Sequence, residues 1–256
     1  MYFKSKFVGS VFLDLSKAFD LESHDILLSK IAKYHASEPT LRWFKSYLYD
    51  RTQTCAISGL LSNPLTLPQG VPQGSILGPV LFSLYINDLP LCLPTSDVEI
   101  YVDDTTLWTS DHSIDHIQNN LQDSLDNASS WLKLNKMVPN TKKTKHLLIA
   151  TRRKLEHANN PTLDLHLNGN RIEEAKDEKL LGIKIDKHIN WHNHIEYLIG
   201  KLNSRIHLLK RAKGYLNLHC RKLLSSLSLN IAVRFGVMPL TINCGEYLEC
   251  RNAVVG

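Results

Sequence analysis

No apolar run in this chain of 256 residues approaches the roughly 20 residues that a membrane-spanning helix needs. The start, Met1 to Lys6, leads straight into a strand-like stretch, with no signal-peptide core or cleavage site. CxxC spacing is absent. The five cysteines (Cys55, Cys92, Cys220, Cys244 and Cys250) form an odd, scattered set. They argue for free thiols in a reducing compartment over a disulfide frame or zinc knuckle. There is no GxxxxGK or GxGxxG phosphate loop, no Ser-His-Asp set carried by a motif, no internal repeat and no low-complexity segment. Acidic residues are missing from Tyr197 to Gly245. That stretch carries Lys201, Arg205, Lys210, Arg211, Lys213, Arg221, Lys222 and Arg234. Lys142, Lys143 and Lys145, followed by Arg152, Arg153 and Lys154, make a smaller basic cluster. One-signed stretches suit a polyphosphate partner, within a net charge of only +5. A solvated cationic face without a ligand is the plainer alternative.

What is present centres on Tyr101-Val102-Asp103-Asp104. The preceding Val98–Val102 alternates as a strand, and the two acids fall where a hairpin turn begins. Two ionised carboxylates about 4 Å apart repel by roughly 4 kcal/mol at an effective dielectric near 20. A divalent cation between them relieves that cost. Far upstream, Asp14 interrupts a buried-looking strand, Phe7 to Leu15. Three carboxylates on two neighbouring strands can hold two magnesium ions, which prefer oxygen ligands. Metals roughly 3.5–4 Å apart stabilise the attacking and leaving oxygens of an in-line phosphoryl transfer.

Elsewhere the spacing predicts helices over 25–34, 41–49, 76–89 and 114–132. The last repeats Ile114, Ile117, Leu121, Leu125, Ala128 and Leu132 at three and four residues. Strands are expected over 52–57, 145–150 and 179–186. A hairpin is expected around Asn168-Gly169, and two basic helices over 189–211 and 216–229. A Pro/Gly loop, Leu67 to Ser75, precedes the 76–89 helix.

LDLSKAFD (13–20) followed by HDILL (24–28) resembles the first palm motif of non-LTR retrotransposon reverse transcriptases, close to the jockey-like and CR1-like types. PQGVPQGSILGPVLF (68–82) with LYINDLP (84–90) resembles the second motif, and YVDD (101–104) the catalytic hairpin. The segment 127–149 resembles the helix and turn after that hairpin. KLLGIKID (179–186), INWHNHI (189–195) and KLNSRIHLLKR (201–211) resemble the primer grip and thumb. The similarity covers roughly residues 8–222.

The resemblance implies an RNA-directed DNA polymerase. Its partners would be an RNA template, a DNA primer and dNTPs, and its cofactor two Mg2+ ions, with Mn2+ as a substitute. Asp14, Asp103 and Asp104 would bind the metals, assisted by the Leu15 carbonyl. Phe19 would lie under the incoming sugar, although an aromatic there is also a core residue. Asp20 would sit behind the ligands or cap a helix. Gln73 and Gly74 would lie against the nascent base pair, with Gln69 of the duplicated PQG as a rival. Lys143 would protonate leaving pyrophosphate, with a merely exposed lysine as the alternative. Lys201, Arg205, Lys210 and Arg211 would track the nucleic-acid backbone. His188, His192 and His194 do not have zinc spacing, and packing or phosphate contact is expected of them.

The expected architecture is α+β: a right-hand polymerase palm, mainly an antiparallel sheet backed by helices, plus a small helical thumb. Residues 1–158 would form the palm, 159–230 the primer-grip and thumb-like region, and 231–256 a divergent tail. Most of the fingers, the endonuclease and the far zinc knuckle are expected to be missing. The segment Leu21-Glu22-Ser23 departs from the family pattern. An inactive nucleic-acid-binding remnant is the alternative function. No membrane contact is expected, and the location would be nucleus or cytoplasm, with the nucleus favoured by the resemblance.

Overall fold

The computed structural model describes residues 6–72, 74–212 and Tyr215. The expectations for Gln73, the 216–229 helix and the 231–256 tail fall outside the described residues. So do those for Lys213, Arg221, Lys222 and Arg234 and for Cys220, Cys244 and Cys250. By its internal contacts the chain divides into two compact units, Met1–Lys176 and Asp177–Gly256.

The first unit opens with β1 (Phe7–Leu13), a 3₁₀ turn over Ala18–Asp20, then α1 (His24–Lys33) and α2 (Glu38–Leu48). Two small hairpins follow, in which β2 (Thr52–Gln53) pairs with β5 (Leu65–Thr66) around β3 (Ala56–Ile57) and β4 (Leu60–Leu61). Next come α3 (Leu77–Ile86), a 3₁₀ turn over Leu89–Cys92, β6 (Asp97–Tyr101), β7 (Asp104–Asp111) and α4 (Ile114–Leu134). The unit ends with β8 (Lys145–Ile149), α5 (Arg152–His157), β9 (His166–Leu167), β10 (Asn170–Arg171) and β11 (Glu173–Glu174). The second unit contains the hairpin β12 (Asp177–Leu180) and β13 (Ile183–Asp186), and then α6 (His192–Ala212).

One five-stranded sheet organises the first unit, in the order β11-β8-β1-β7-β6. Its pairings are antiparallel except β11 on β8. β1 lies at the centre and is buried nearly throughout, as its FVGSVFL sequence of β-branched and aromatic residues favours. β6, at one edge, alternates exposed and half-buried residues.

The long helix α4 covers β1 and β7. Ile117, Leu121, Leu125, Ala128 and Leu132 are all fully buried, so the three-and-four repeat is the face that meets the core. Ser113 begins the helix by accepting the His116 amide at 3.4 Å. Close seating depends on Gly9. A Cβ there would overlap Ile117 Cγ2 and lie 2.8 Å from Leu121 Cδ1. The α1 and α3 helices pack on each other, and their Leu27, Leu81 and Phe82 join the same core.

Several expected elements differ in detail. The 52–57 strand is two strands in separate hairpins. The 179–186 strand is the β12–β13 hairpin. It folds back because Leu181 and Gly182 both take positive φ (48° and 90°), the type I′ pattern. The helix expected from 189 starts at His192, since Asp186 Oδ1 accepts the amides of His188 and Asn190 at 2.9 Å each and holds a turn there. The 76–89 helix stops at Ile86, and Pro90 enters the following 3₁₀ turn. No helix among the described residues is long and apolar enough to cross a membrane.

Candidate active site

β1 and β7 run antiparallel from Phe7 opposite Asp111 to Leu13 opposite Thr105. Asp14 follows Leu13 directly, and Asp104, the first residue of β7, directly precedes Thr105. Residues directly opposite in such a pair share a face. β6 and β7 close at Tyr101 opposite Asp104, which leaves Val102 and Asp103 as a two-residue turn. Val102 has φ of 55°. A positive φ at the first central position alone is the type II′ pattern. For a β-branched side chain this costs on the order of 1–3 kcal/mol. Asp103 and Asp104 are exposed, and Asp14 is half-buried.

The 138–144 segment runs along the other side of Asp14. Ser16 donates to the Val138 carbonyl at 2.8 Å, Leu15 bridges to Pro139, and Asn140 donates to the Asp14 carbonyl at 2.8 Å. The Asp14 amide donates to Thr144 Oγ1 at 3.2 Å. The β1–β8 register ends at Phe12 opposite Lys145. Beyond it the chain turns at Asn140–Thr144, and Lys143 stands exposed in that turn, its amide bonded to the Asn140 carbonyl at 3.1 Å. Three strand ends thus gather Asp14, the Asp103-Asp104 turn and the Lys143 turn at one end of the sheet.

Phe19 lies in the 3₁₀ turn after Asp14, half-buried, with its ring 5.0 Å from that of Phe82. Its carbonyl accepts the Val71 amide at 2.9 Å. Gly70, at φ 86°, presses against the same turn, where a Cβ would come within 2.9 Å of the Asp20 carbonyl and 3.0 Å of the Phe19 carbonyl. Ser23 bridges to Gln69. The Gln69-Gly70 copy of the repeated PQG is therefore fastened to the Phe19 turn. Gly74, at φ 79°, has open space around it. Asp20 ends the 3₁₀ turn, and the N-cap position of α1 is Ser23.

Sequence reasoning missed Glu22. Its carboxyl group is fully buried, and neither oxygen has a partner among the described residues. Burial pushes its pKa up to about 8. The signal available was an acid inside a segment that departs from the family pattern. Also missed was Tyr85, whose buried hydroxyl accepts the Ser23 amide at 3.3 Å and donates to the Asn135 carbonyl at 2.6 Å. Desolvation raises that phenol to about 12, so it remains a donor.

In the second unit Lys201, Arg205, Lys210 and Arg211 are all exposed on α6. Lys201 Nζ lies 4.6 Å from the centre of the Tyr197 ring, joined by Lys184 at 5.7 Å and Lys179 at 5.9 Å. Hydrogen bonding from Lys201 leads the causes that lower the Tyr197 phenol below its ordinary pKa, with Lys179 adding to it. Lys179 and Lys184 stand directly opposite on the β12–β13 hairpin, a like-charged pairing that Asp177 relieves by binding Lys184 at 2.9 Å. His194 is buried and accepts the Lys184 amide at 3.1 Å, and burial lowers its pKa. His192 pairs with Glu196 at 3.2 Å, and His188 Nδ1 is buried.

Among the described residues no group of three or more His, Cys, Asp or Glu side chains is gathered closely enough to hold a metal ion. The backbone ends the β1–β7 ladder at Leu13 opposite Thr105, the neighbours of Asp14 and Asp104, and the candidate donors are all oxygens. Carboxylate oxygens are the donor type that a hard divalent cation takes.

Residues 4–199 match the family model for reverse transcriptase (RNA-dependent DNA polymerase). The chain is 29% identical over 233 residues to a probable RNA-directed DNA polymerase from transposon BS of Drosophila melanogaster, covering 84% of this chain and 25% of that protein. It is 30% identical over 197 residues to the RNA-directed DNA polymerase from mobile element jockey of the same organism, covering 74% and 21%. The chain thus spans a quarter or less of the length of these curated relatives. A solved telomerase from Candida tropicalis, in complex with a fragment of telomeric RNA, shares the fold at TM-score 0.53 and 12% identity. That match covers 89% of this chain and 38% of the telomerase chain.

Proposed function

We propose, since the chain belongs to the reverse transcriptase (RNA-dependent DNA polymerase) family, that its sheet end is a nucleotidyl-transfer site copying RNA into DNA. The observation that supports this reading is the β1–β7 register, which ends at Leu13 opposite Thr105, next to Asp14 and to the Asp103-Asp104 turn. In the reaction a primer 3′-hydroxyl attacks the α-phosphorus of a dNTP. The bond to the β-phosphate oxygen breaks, and pyrophosphate leaves with the β- and γ-phosphates.

Asp14, Asp103 and Asp104 would hold two Mg2+ ions, with Mn2+ as a substitute and the Leu15 carbonyl as a further ligand. Bound there, the pair of ions would lower the charge on the attacking and leaving oxygens. Phe19, backed by Phe82 and the Gly70 loop, would support the sugar and exclude a 2′-hydroxyl by bulk. Gln73 and Gly74, or Gln69 in place of Gln73, would meet the nascent base pair. Lys143 would give its proton to the departing pyrophosphate oxygen.

The palm would comprise residues 1–158, the primer-grip and thumb-like region 159–230, and the tail 231–256. In the second unit Lys201, Arg205, Lys210 and Arg211 would bind backbone phosphates of RNA template and DNA primer. The three lysines around Tyr197 support that assignment. The site of action we favour is the nucleus.

The test is Mg2+-dependent primer extension on an RNA template. Asp103→Asn abolishes extension and leaves the fold and salt-sensitive nucleic-acid binding intact. Equal extension by wild type and variant refutes the assignment.

A further inference from the structure

We infer that Thr144 and Asn140 form a clasp that holds the Asp14 peptide in place and ties the Lys143 turn to it, so that Thr144 is a positioning residue. This rests on the polymerase reading above. β1 leaves the sheet at Leu13, and a carboxylate beyond a strand's last rung would ordinarily sit on loose backbone. Here both sides of the Asp14 residue are bonded. Its amide donates to Thr144 Oγ1 at 3.2 Å, and its carbonyl accepts the Asn140 amide at 2.8 Å. The Thr144 hydroxyl donates in turn to the Asn140 carbonyl at 2.9 Å, which closes a ring of three hydrogen bonds.

Thr144 stands where the β1–β8 ladder has run out. Phe12 opposite Lys145 is the last ladder pair, so a side-chain hydroxyl supplies the acceptor that the strand no longer offers. The residue is fully buried, which keeps water from competing for either bond. Lys143 is drawn into the same unit. Its amide reaches the Asn140 carbonyl at 3.1 Å and Asn140 Oδ1 at 3.3 Å. One polar ring therefore ties the backbone of the first carboxylate to the backbone of the candidate proton donor. Positional errors of an ångström are costly for in-line displacement.

The experiment pairs amide hydrogen exchange with steady-state kinetics on the whole chain. In the unmodified chain the Asp14 amide exchanges at least a hundredfold more slowly than an exposed loop amide. Thr144→Val keeps the shape and removes the acceptor. It speeds exchange at Asp14 by tenfold or more while the amides of Leu147 and Leu148 hold their rates. In primer extension Thr144→Val lowers kcat tenfold or more with KM for dNTP within twofold, and Thr144→Ser restores both readouts. An unprotected Asp14 amide in wild type overturns the clasp, and this holds even where a variant fails to fold. Unchanged exchange in Thr144→Val, a serine variant behaving like valine, or faster exchange with unaltered kcat also overturns it. A well-folded wild type without metal-dependent extension refutes the polymerase reading instead, and the exchange results then decide the clasp alone.

Discussion

The amide of Gly70 donates to the main-chain carbonyl of Glu22 at 2.8 Å, and the carboxyl side chain of that same Glu22 is fully buried and lacks a partner among the described residues. His24 Nε2 meets the Gly70 carbonyl at 2.8 Å, and Tyr85 receives the Ser23 amide. The Pro/Gly loop is thereby fastened to the segment that carries a buried acid. Burying that acid as a carboxylate would cost several kcal/mol, so the fold keeps it protonated.

Stability follows from that proton. Glu22 titrates at about 8 in the fold against an ordinary 4.5, so the folded chain holds the proton more tightly. The stabilisation from the neutral form is complete below about 4.5 and is lost as pH rises through about 8, on the order of 4–5 kcal/mol across that window. Urea midpoints therefore fall from acid to mildly alkaline solution. Glu22→Gln flattens that dependence and Glu22→Leu raises the alkaline midpoint. Parallel pH curves for wild type and Glu22→Gln would remove Glu22 as the cause.

Gly9→Ala tests the seat of α4 on β1. The added methyl meets Ile117 and Leu121, both fully buried, so the helix must shift or the side chains leave their rotamers. The expected cost is about 1–3 kcal/mol, read as a lower thermal midpoint. An unaltered midpoint would mean that α4 sits further from the sheet than described.

Lys30 Nζ lies 2.6 Å from Asp88 Oδ1, bonds the Tyr85 carbonyl, and faces the rings of Tyr85 at 4.9 Å and Trp131 at 4.6 Å. The lysine side chain is 10% exposed and the aspartate 41%. Asp88→Ala strands a buried ammonium, whereas Lys30→Met frees a carboxylate that water can reach. The first substitution costs about 2–4 kcal/mol and the second about 1 kcal/mol in urea unfolding, although both break one pair. The reverse order would show that the exposed partner governs the pair.

Lys201→Ala and Arg205→Ala each make the plot of log binding constant against log salt shallower by about 0.7 on single-stranded RNA, with no change in base preference. Filter-binding titrations measure the slope. A slope identical to that of wild type would detach α6 from the nucleic-acid backbone.

Legibility varied with the range of the interactions involved. The α4 face was readable because Ile117, Leu121, Leu125 and Leu132 repeat at helical spacing, and burial follows directly from that repeat. The Asp103 turn was readable from the alternation of β6 before it. The 179–186 hairpin was not, because its flanks alternate like a single strand and Leu181 gives no warning of a positive φ. The burial of Glu22 was not readable, since local sequence carries no record of the long-range bonds from Gly70 and Tyr85 to residues 22 and 23.

Residue order alone established the acids, the lysines, the helical repeats and the family likeness, because those depend on residue type and near-neighbour spacing. Strand register, which sets Leu13 opposite Thr105 and so ends β1 and begins β7 side by side, belongs to the tertiary structure. So do the Thr144 ring that holds Asp14 from the other side and the enclosure of Glu22. Pairing across some ninety positions depends on which faces pack together, and a slip of one residue would turn every side chain of β1 to the opposite face.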